Sequence, residues 1–180
     1  PEPDRLVRMV ENVPHLPKGR PPLQRGLSYS EFLEWRAQSK TLSDAYAVGG
    51  GPGQRLVHGT QGWVGLIGTM PSTNAFEMLR MHALLGRTFD ERDEQDPNVV
   101  VLSYDTWKTH FNSDPAIVGT AIEFRAGALM NGVPPRLMTV VGVLPEGVAI
   151  ANSWADYYWP LTRSYTSARV ELIGQLAPGV

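Results

Sequence analysis

Residues 99–119 read VVVLSYDTWKTHFNSDPAIVG, and this stretch indicates the class of fold more clearly than any other part of the chain. The unbroken apolar run 99–102 has the length and composition of a buried strand. Ser103 follows directly and is a preferred N-cap residue, so we expect a helix to begin there. Three aromatic residues of that helix share one face, which we expect to be buried: Tyr104, Trp107 and Phe111. The stretch therefore predicts a strand followed at once by a capped helix.

The chain downstream of this helix predicts a helical turn and three strands. Residues 114–119 (DPAIVG) place proline at the start of the turn and glycine just past its end, where each is favoured. Strands are predicted over 120–124 and 137–144, joined as a hairpin by the Gly- and Pro-containing loop 126–135. Apolar and polar residues alternate over 169–176, which indicates a half-solvated strand. The sheet is therefore expected to be antiparallel or mixed.

The chain begins with a predicted strand at 6–10 and a proline-rich loop at 14–22. Ser28 followed by Glu31 matches a capping box, the reciprocal side-chain cap of a helix N-terminus. The apolar face of this helix carries Tyr29, Phe32 and Leu33, and Trp35 widens it. A strand, a loop and then an amphipathic helix are the expected order at this end of the chain.

Five further segments connect this helix to residue 99. The glycine cluster 49–53 predicts a turn, and 55–67 has the composition of one or two strands. Residues 74–79 (NAFEML) carry the Asn and Glu of a second cap signature before a short helix, and 85–87 predict a turn. The acidic stretch 90–96 is expected to be a solvated loop. Taken together, the pattern predicts an α+β fold.

The composition excludes several classes of function. The chain has 180 residues, 16 Lys and Arg against 18 Asp and Glu, and a net charge of -2, so it offers no electrostatic footprint for a nucleic acid. It has no cysteine, which excludes disulfides, Cys-zinc sites and Cys nucleophiles. No run approaches the roughly 18 apolar residues that a membrane-spanning helix needs. The first residue is not Met, and we expect the chain to be a fragment of a longer protein.

No motif for catalysis, cofactor binding or metal binding is present in the sequence. The cluster 49–53 (GGGPG) lacks the Lys-Ser/Thr ending of a phosphate loop, and 90–96 lacks the ligand alternation of a calcium-binding EF-hand loop. A small hydrolase would need His58 or His110 within reach of a carboxylate and a hydroxyl, and nothing in the sequence indicates such a pocket. The histidines fall singly: His15, His58, His82 and His110. We predict no catalytic, cofactor or metal site.

Four aromatic residues are the most unusual local feature of the chain: Trp154, Tyr157, Tyr158 and Trp159. Such residues are enriched at binding surfaces, and they also bury large areas in protein cores. Their position before Pro160, among alternating apolar residues, favours a strand end packed on the core. An interaction surface made by the four rings is the alternative.

Several phrases, read in order, resemble the periplasmic core domain of MacB-like ABC-transporter permeases, in particular the acidobacterial-type permease branch. Residues 74–79 (NAFEML) leading to 85–89 (LGRTF) are similar to the family's Asn-Phe-Phe segment and its Leu-Gly-Arg-x-Phe turn. Residues 99–119 resemble the most recognisable stretch of these domains, and 139–145 (TVVGVLP) complete it. The later segment 174–180 (GQLAPGV) also matches. This sequence departs from the family at two places. It has a long loop over 126–135 where the family usually has a tight hairpin, and it has Ala75 where the family usually has an aromatic residue.

This resemblance implies an α+β region in two subdomains. A porter-like βαβ-type half would be formed from both chain ends, residues 1–75 and 164–180, and would be truncated at its C-terminus. A mixed α/β subdomain of the Sabre type would be inserted between them, over 76–163. In the family, a helix and a further strand follow the segment that corresponds to 174–180 and complete the porter-like half. Without them, exposed apolar surface is expected near the C-terminus of this chain.

The same resemblance implies a non-catalytic periplasmic domain of an inner-membrane permease. Such a domain couples ATP-driven conformational change to export of a periplasmic substrate. The implied partners are a cytoplasmic ABC ATPase, a second permease subunit in a dimer and a periplasmic adaptor. An extracytoplasmic binding module for a lipid, peptide or glycan, which would use the rings of 154–159, is the alternative to this coupling role, and an enzyme ranks third.

Overall fold

The computed structural model of the chain describes residues 6–9, 11–12, 24–25, 27–126, 133–150, 154–166 and 168–177. These residues form twelve strands: β1 (Leu6–Met9), β2 (Glu11–Asn12), β3 (Gln24–Arg25), β4 (Leu27–Ser28), β5 (Leu42–Gly59), β6 (Gly62–Pro71), β7 (Leu85–Gly86), β8 (Val99–Leu102), β9 (Ala121–Ala126), β10 (Arg136–Val143), β11 (Tyr157–Tyr158) and β12 (Arg169–Leu176). Three α-helices accompany them in the described part of the chain: α1 (Tyr29–Gln38), α2 (Ala75–Met78) and α3 (Tyr104–His110). Short 3₁₀ turns lie at Glu91–Glu94, Pro115–Ile117 and Arg163–Tyr165.

One mixed sheet of ten strands organises the fold, in the order β1-β12-β5-β6-β11-β8-β10-β7. Strand β4 also pairs with β12, and β9 pairs with both β10 and β5. The pairs β8–β10 and β6–β11 are parallel and the others are antiparallel. Strands β2 and β3 form a separate two-stranded sheet. The predicted combination of helices with an antiparallel or mixed sheet is confirmed, as a mixed α/β fold with few helices and a sheet-rich core.

The two faces of the sheet carry separate hydrophobic clusters. Val100, Leu102 and Tyr157 contribute to the cluster on one face, while Val101 and Tyr158 contribute to the cluster on the other. Successive residues of a strand point to opposite faces, so β8 and β11 are buried on both. This double burial explains why residues 99–102 lack the apolar-polar alternation of a half-exposed strand.

Helix α1 begins at the predicted cap. The Ser28 hydroxyl accepts a hydrogen bond from the Glu31 backbone N–H at 3.2 Å, and the Glu31 carboxylate accepts one from the Ser28 N–H at 2.7 Å. Tyr29 and Phe32 are buried against the sheet, and Leu33 and Trp35 are partly buried. The capping box and the apolar face are both confirmed.

The strand and helix that follow residue 99 also form as predicted. Strand β8 spans 99–102, and the Ser103 hydroxyl accepts from the Thr106 N–H at 3.2 Å. The predicted burial of the aromatic face of α3 is wrong in part, because Tyr104 and Trp107 are only partly buried and Phe111, just after the helix, is the one in the core. The Asp114 carboxylate caps the 3₁₀ turn by accepting from the Ala116 N–H at 2.9 Å. Strands β9 and β10 pair as the predicted hairpin; its loop over 127–132 and the proline-rich segment 14–22 lie outside the described residues.

The glycine cluster 49–53 is not a turn, and the prediction of one is wrong. These residues lie inside β5, which runs for 18 residues, and the register against β6 shifts between Gly49 and Gly53. The cluster is therefore a β-bulge, in which extra residues of one strand face fewer of its partner. Gly51 and Gly53 have φ of 73° and 72°, values that favour glycine. The chain instead reverses at the two residues between Gly59 and Gly62.

Two other local predictions are corrected. The Asn74 side chain does not cap α2. It accepts a hydrogen bond from the Ser72 hydroxyl at 2.8 Å and donates one to the Ala45 carbonyl at 2.9 Å, so it joins α2 to β5. The acidic segment 90–96 is not wholly solvated, because its centre is a 3₁₀ turn in which Asp93 is buried.

The sheet crosses the boundaries of the two expected subdomains. Strand β5, within 1–75, pairs with β12 through its first half and with β9 through its second half. Strand β6 likewise pairs with β11. Strands from 1–75 and 76–163 are thus hydrogen-bonded side by side. Strand β12 is paired on both sides, with β1 and with β5.

Candidate interaction surface and aromatic groove

The aromatic segment divides into three buried rings and one exposed ring. Tyr157, Tyr158 and Trp159 are at most 4% exposed, whereas Trp154 is 95% exposed. The buried rings contact other aromatic residues: Phe124 lies 4.8 Å from Tyr157 and 6.1 Å from Trp159, between ring centroids. A partner has no access to rings packed in this way. The interaction surface expected from the four residues is therefore reduced, in this segment, to Trp154.

Trp154 stands at a groove of about 450 Å³. The groove lies at the end of β8 and β11, on the face of the sheet to which Tyr158 points. Its lining consists of Ser103, Tyr104, Asp105, Pro145, Gly147, Val148, Ala149, Trp154, Ala155, Asp156 and Tyr158. The predicted N-cap at Ser103 and the aromatic residue that follows it thus form one wall.

Two carboxylates belong to this groove. Asp105 is exposed in the first turn of α3. Asp156 is half-buried, and its Oδ2 accepts a hydrogen bond of 2.7 Å from the backbone N–H of Ile67. That bond fixes the Asp156 carboxylate against the edge of β6. The groove therefore combines apolar walls with negative charge.

An exposed apolar surface continues on the same face of the sheet, across β6, β5, β9 and β10. Successive residues of a strand point to opposite faces, and Val57, Leu66 and Met138 point to the buried face. The residues next to them in the sequence therefore point to the open side. Four large apolar residues are exposed there, and we call them the open face: Leu56, Trp63, Ile67 and Leu137. Arg125 lies over the Trp63 ring at 4.1 Å from its centroid. The open face adjoins the groove at Ile67, whose backbone N–H donates to the Asp156 carboxylate. This surface has no local signal in the sequence, because its members are spread over separate strands.

A polar cleft of about 720 Å³ separates α1 from the segment around residues 90–95. The Tyr29 hydroxyl donates to Glu94 Oε1 at 3.0 Å, and the backbone N–H of Arg163 donates to Glu94 Oε2 at 3.2 Å. Burial raises the pKa of the Tyr29 hydroxyl, and the nearby Glu94 carboxylate raises it further. These bonds attach the acidic turn to α1, and they form no arrangement of nucleophile and base.

The histidines named as hydrolase candidates are not brought to a catalytic arrangement. The His58 ring packs edge-on against Trp63 at 5.1 Å between centroids, and His110 contributes its backbone carbonyl to the Thr60 N–H at 3.0 Å. Among the residues that the structure describes, no group of three or more His, Asp or Glu side chains is placed to hold a metal ion. No described helix has the length and apolar character required to cross a membrane.

The fold and its relatives define the class of protein. Its strands and few helices are arranged as in extracytoplasmic domains of ABC-type transporters. The family model for the MacB-like periplasmic core domain matches residues 4–180. The chain belongs to this family, and it is a domain of a MacB-like ABC-transporter permease with an extracytoplasmic location. A search of curated protein sequences finds no match.

Three solved structures resemble the fold at low sequence identity. The periplasmic region of MacB from Actinobacillus actinomycetemcomitans has a TM-score of 0.65 and 15% identity over 98% of this chain and 76% of that one. A domain of a protein described as a permease, from Porphyromonas gingivalis, has a TM-score of 0.65 and 15% identity over 98% and 75%. The extracellular domain of the noncanonic ABC-type transporter YknZ from Gram-positive bacteria has a TM-score of 0.63 and 14% identity over 86% and 75%.

Proposed function

We propose that this domain couples ATP-driven conformational change in a permease to the export of a substrate from the periplasm. In this role it is non-catalytic and belongs to an inner-membrane protein. Its partners are a cytoplasmic ABC ATPase, a second permease subunit and a periplasmic adaptor. Family membership supports the permease assignment. The coupling role rests on one structural observation, the continuity of the sheet through β5.

Strand β5 provides a mechanical connection between the ends of the chain and its middle. Its residues 42–49 pair with β12, which itself pairs with β1. Its residues 55–57 pair with β9, which pairs with β10. A strand rises about 3.3 Å per residue, which is close to the full extension of the backbone, so a pull at one end is transmitted along it with little stretching. A movement imposed on β1 and β12 therefore reaches β9 and β10 through one backbone.

The bulge at 49–53 is the pivot in this proposal. It lies between the two halves of β5, where ladder pairing is interrupted between Gly49 and Gly53. An interrupted ladder rich in glycine has fewer backbone restraints than the paired strands on either side. Residues 42–49 of β5, with β12 and β1, would move about this point relative to residues 55–57 of β5, with β9 and β10. A pivot between two packed arrangements is a common device for conformational coupling.

An extracytoplasmic binding module is the second candidate function, and the exposure of Trp154 beside a groove favours it. The ligands expected for such a module are lipids, peptides and glycans. Binding at the groove and coupling through β5 use different residues. The two functions are therefore compatible in one domain and separable by mutation.

ATP turnover of the intact permease with its ATPase, reconstituted in proteoliposomes, tests the coupling role. Gly53→Ala places a Cβ at φ 72° with no atom within 4 Å, so it restricts the pivot without a clash. Gly119→Ala is the matched control, because Gly119 also has positive φ, 89°, and open space, but lies in a turn outside β5. We expect lower ATP turnover for Gly53→Ala and wild-type turnover for Gly119→Ala. Equal turnover in the two variants would contradict the coupling role of the bulge.

A further inference from the structure

We propose that the groove beside Trp154 binds small organic cations, that is, molecules with an ammonium-type group on an apolar body. This site does not depend on the coupling role. The groove volume of about 450 Å³ lies in the range of small-molecule sites. Apolar and aromatic side chains line most of it, and Trp154 is 95% exposed at its rim. The lining therefore matches an apolar body of modest size.

The charge of the lining selects for a cation. Among the described residues that line it, the charged ones are Asp105 and Asp156, and none is Lys, Arg or His. Within the described part of the chain, neither carboxylate forms an ion pair, so their negative charge is not neutralised by the protein. A carboxylate ligand or the phosphate of an anionic lipid would meet like charge here. A cation would meet opposite charge.

Trp154 differs from three other aromatic residues, Tyr104, Trp63 and Trp159, in its access to a cation from outside. Lys108 lies over Tyr104 at 5.5 Å, Arg125 over Trp63 at 4.1 Å and Arg136 over Trp159 at 4.7 Å. Among the described residues, no cationic side chain lies over Trp154. Tryptophan is the strongest of the aromatic side chains in attracting a cation to its face. An exposed indole without an internal cation, next to two unpaired carboxylates, is the combination that recognises an ammonium group.

The test uses three probes that share a benzene ring and differ in charge: benzyltrimethylammonium, benzyl alcohol and benzoate. Binding to the ¹⁵N-labelled 180-residue chain is followed at the indole N–H resonances of its five tryptophans, with Trp154→Phe identifying the Trp154 signal. We expect a saturable shift of the Trp154 resonance with benzyltrimethylammonium, and affinities that fall in the order cation, neutral, anion. A groove that binds benzoate as tightly as the cation would overturn the proposal, as would a Trp154 resonance that does not respond to the cation.

Two pairs of variants locate the site. Trp154→Ala should weaken binding of the cation about tenfold, since it removes the aromatic face, and Trp63→Ala, at the other exposed tryptophan, should leave it unchanged. Asp105→Asn should weaken binding roughly threefold, whereas Glu91→Gln, an exposed acid outside the groove, should not. Trp154, Asp105 and Glu91 are exposed, so these changes leave the core intact. Equal losses within either pair would show that the groove is not the site.

Discussion

Arg87 and Asp93 form a two-pronged ion pair at the centre of the acidic segment. Arg87 Nη1 donates to Asp93 Oδ2 at 2.7 Å, and Nη2 donates to Oδ1 at 2.9 Å. The Asp93 side chain is 3% exposed, while that of Arg87 is 37% exposed. The Asp93 carboxylate also accepts from the backbone N–H of Asp90 at 2.9 Å, which closes the N-terminus of the 3₁₀ turn. One buried carboxylate thus holds both the turn and the strand end that carries Arg87.

Replacement of Asp93 is therefore expected to destabilise the domain. Asp93→Asn removes the charge and one prong of the pair while leaving Arg87 in place, and the expected loss is about 2 kcal/mol of the free energy of unfolding. Glu91→Gln is the control, since Glu91 is exposed in the same turn and its change should stay within roughly 0.5 kcal/mol. Urea denaturation of both variants measures the difference. Similar stability in the two would contradict the structural role of the pair.

The bulge of β5 predicts a contrast between two neighbouring glycines. A Cβ at Gly51 would lie 2.1 Å from the backbone oxygen of Gly68, and φ there is 73°, so Gly51→Ala should cost about 2 to 4 kcal/mol. A Cβ at Gly50 would meet no atom within 4 Å, so Gly50→Ala should have little effect. Thermal unfolding of the two variants checks this. If both alanines are tolerated equally, the register shift in β5 is not the one described.

The buried tyrosines predict a loss of stability at alkaline pH. Burial raises the pKa of Tyr46 from 10.0 to about 12, and burial also raises the pKa values of Tyr29, Tyr157 and Tyr158. Because the folded pKa of Tyr46 exceeds the unfolded value, its contribution is fully present below pH 10 and is lost as the pH rises from about 10 to 12. The size of that contribution is roughly 2 to 3 kcal/mol.

Denaturant titrations at several alkaline pH values measure this effect. The free energy of unfolding should fall less steeply with pH in Tyr46→Phe than in the wild type, because the variant lacks the ionising hydroxyl. Tyr104→Phe, at a partly exposed position, is the comparison. Parallel slopes for wild type and Tyr46→Phe would show that Tyr46 does not ionise with unfolding.

Local signals in the sequence were sufficient for much of the fold. The capping residues Ser28, Ser103 and Asp114 act on backbone groups within three residues, so their patterns predict helix starts directly. The apolar run of β8 and the alternation of β12 likewise report burial of the strand itself. These features need no knowledge of distant partners.

Features that depend on distant partners were missed. The bulge in β5 exists because β6 pairs on both sides of Gly49–Gly53, and a glycine cluster alone resembles a turn. Asp93 is bound by Arg87 from the end of β7, although the acidic segment around it includes exposed carboxylates such as Glu91 and Asp96. Asn74 bonds across to Ala45 instead of capping its own helix. The open face can be recognised only when the register of four strands is known. The exposure of Trp154 follows from its position before the start of β11, whereas the other three rings lie in or next to that strand.

The distance between the two parts of the domain in the intact permease tests the coupling claim most directly. These 180 residues contain no cysteine, so within the domain spin labels attach only at introduced cysteines. Gln38→Cys on α1 and Thr109→Cys on α3 are exposed and lie on opposite sides of the bulge, and Gln38→Cys with Glu171→Cys, on the same side, is the control pair. We predict that ATP shifts the electron–electron distance distribution of the first pair and leaves that of the control pair unchanged. Identical distributions with and without ATP for the first pair would contradict a coupling domain that pivots at β5.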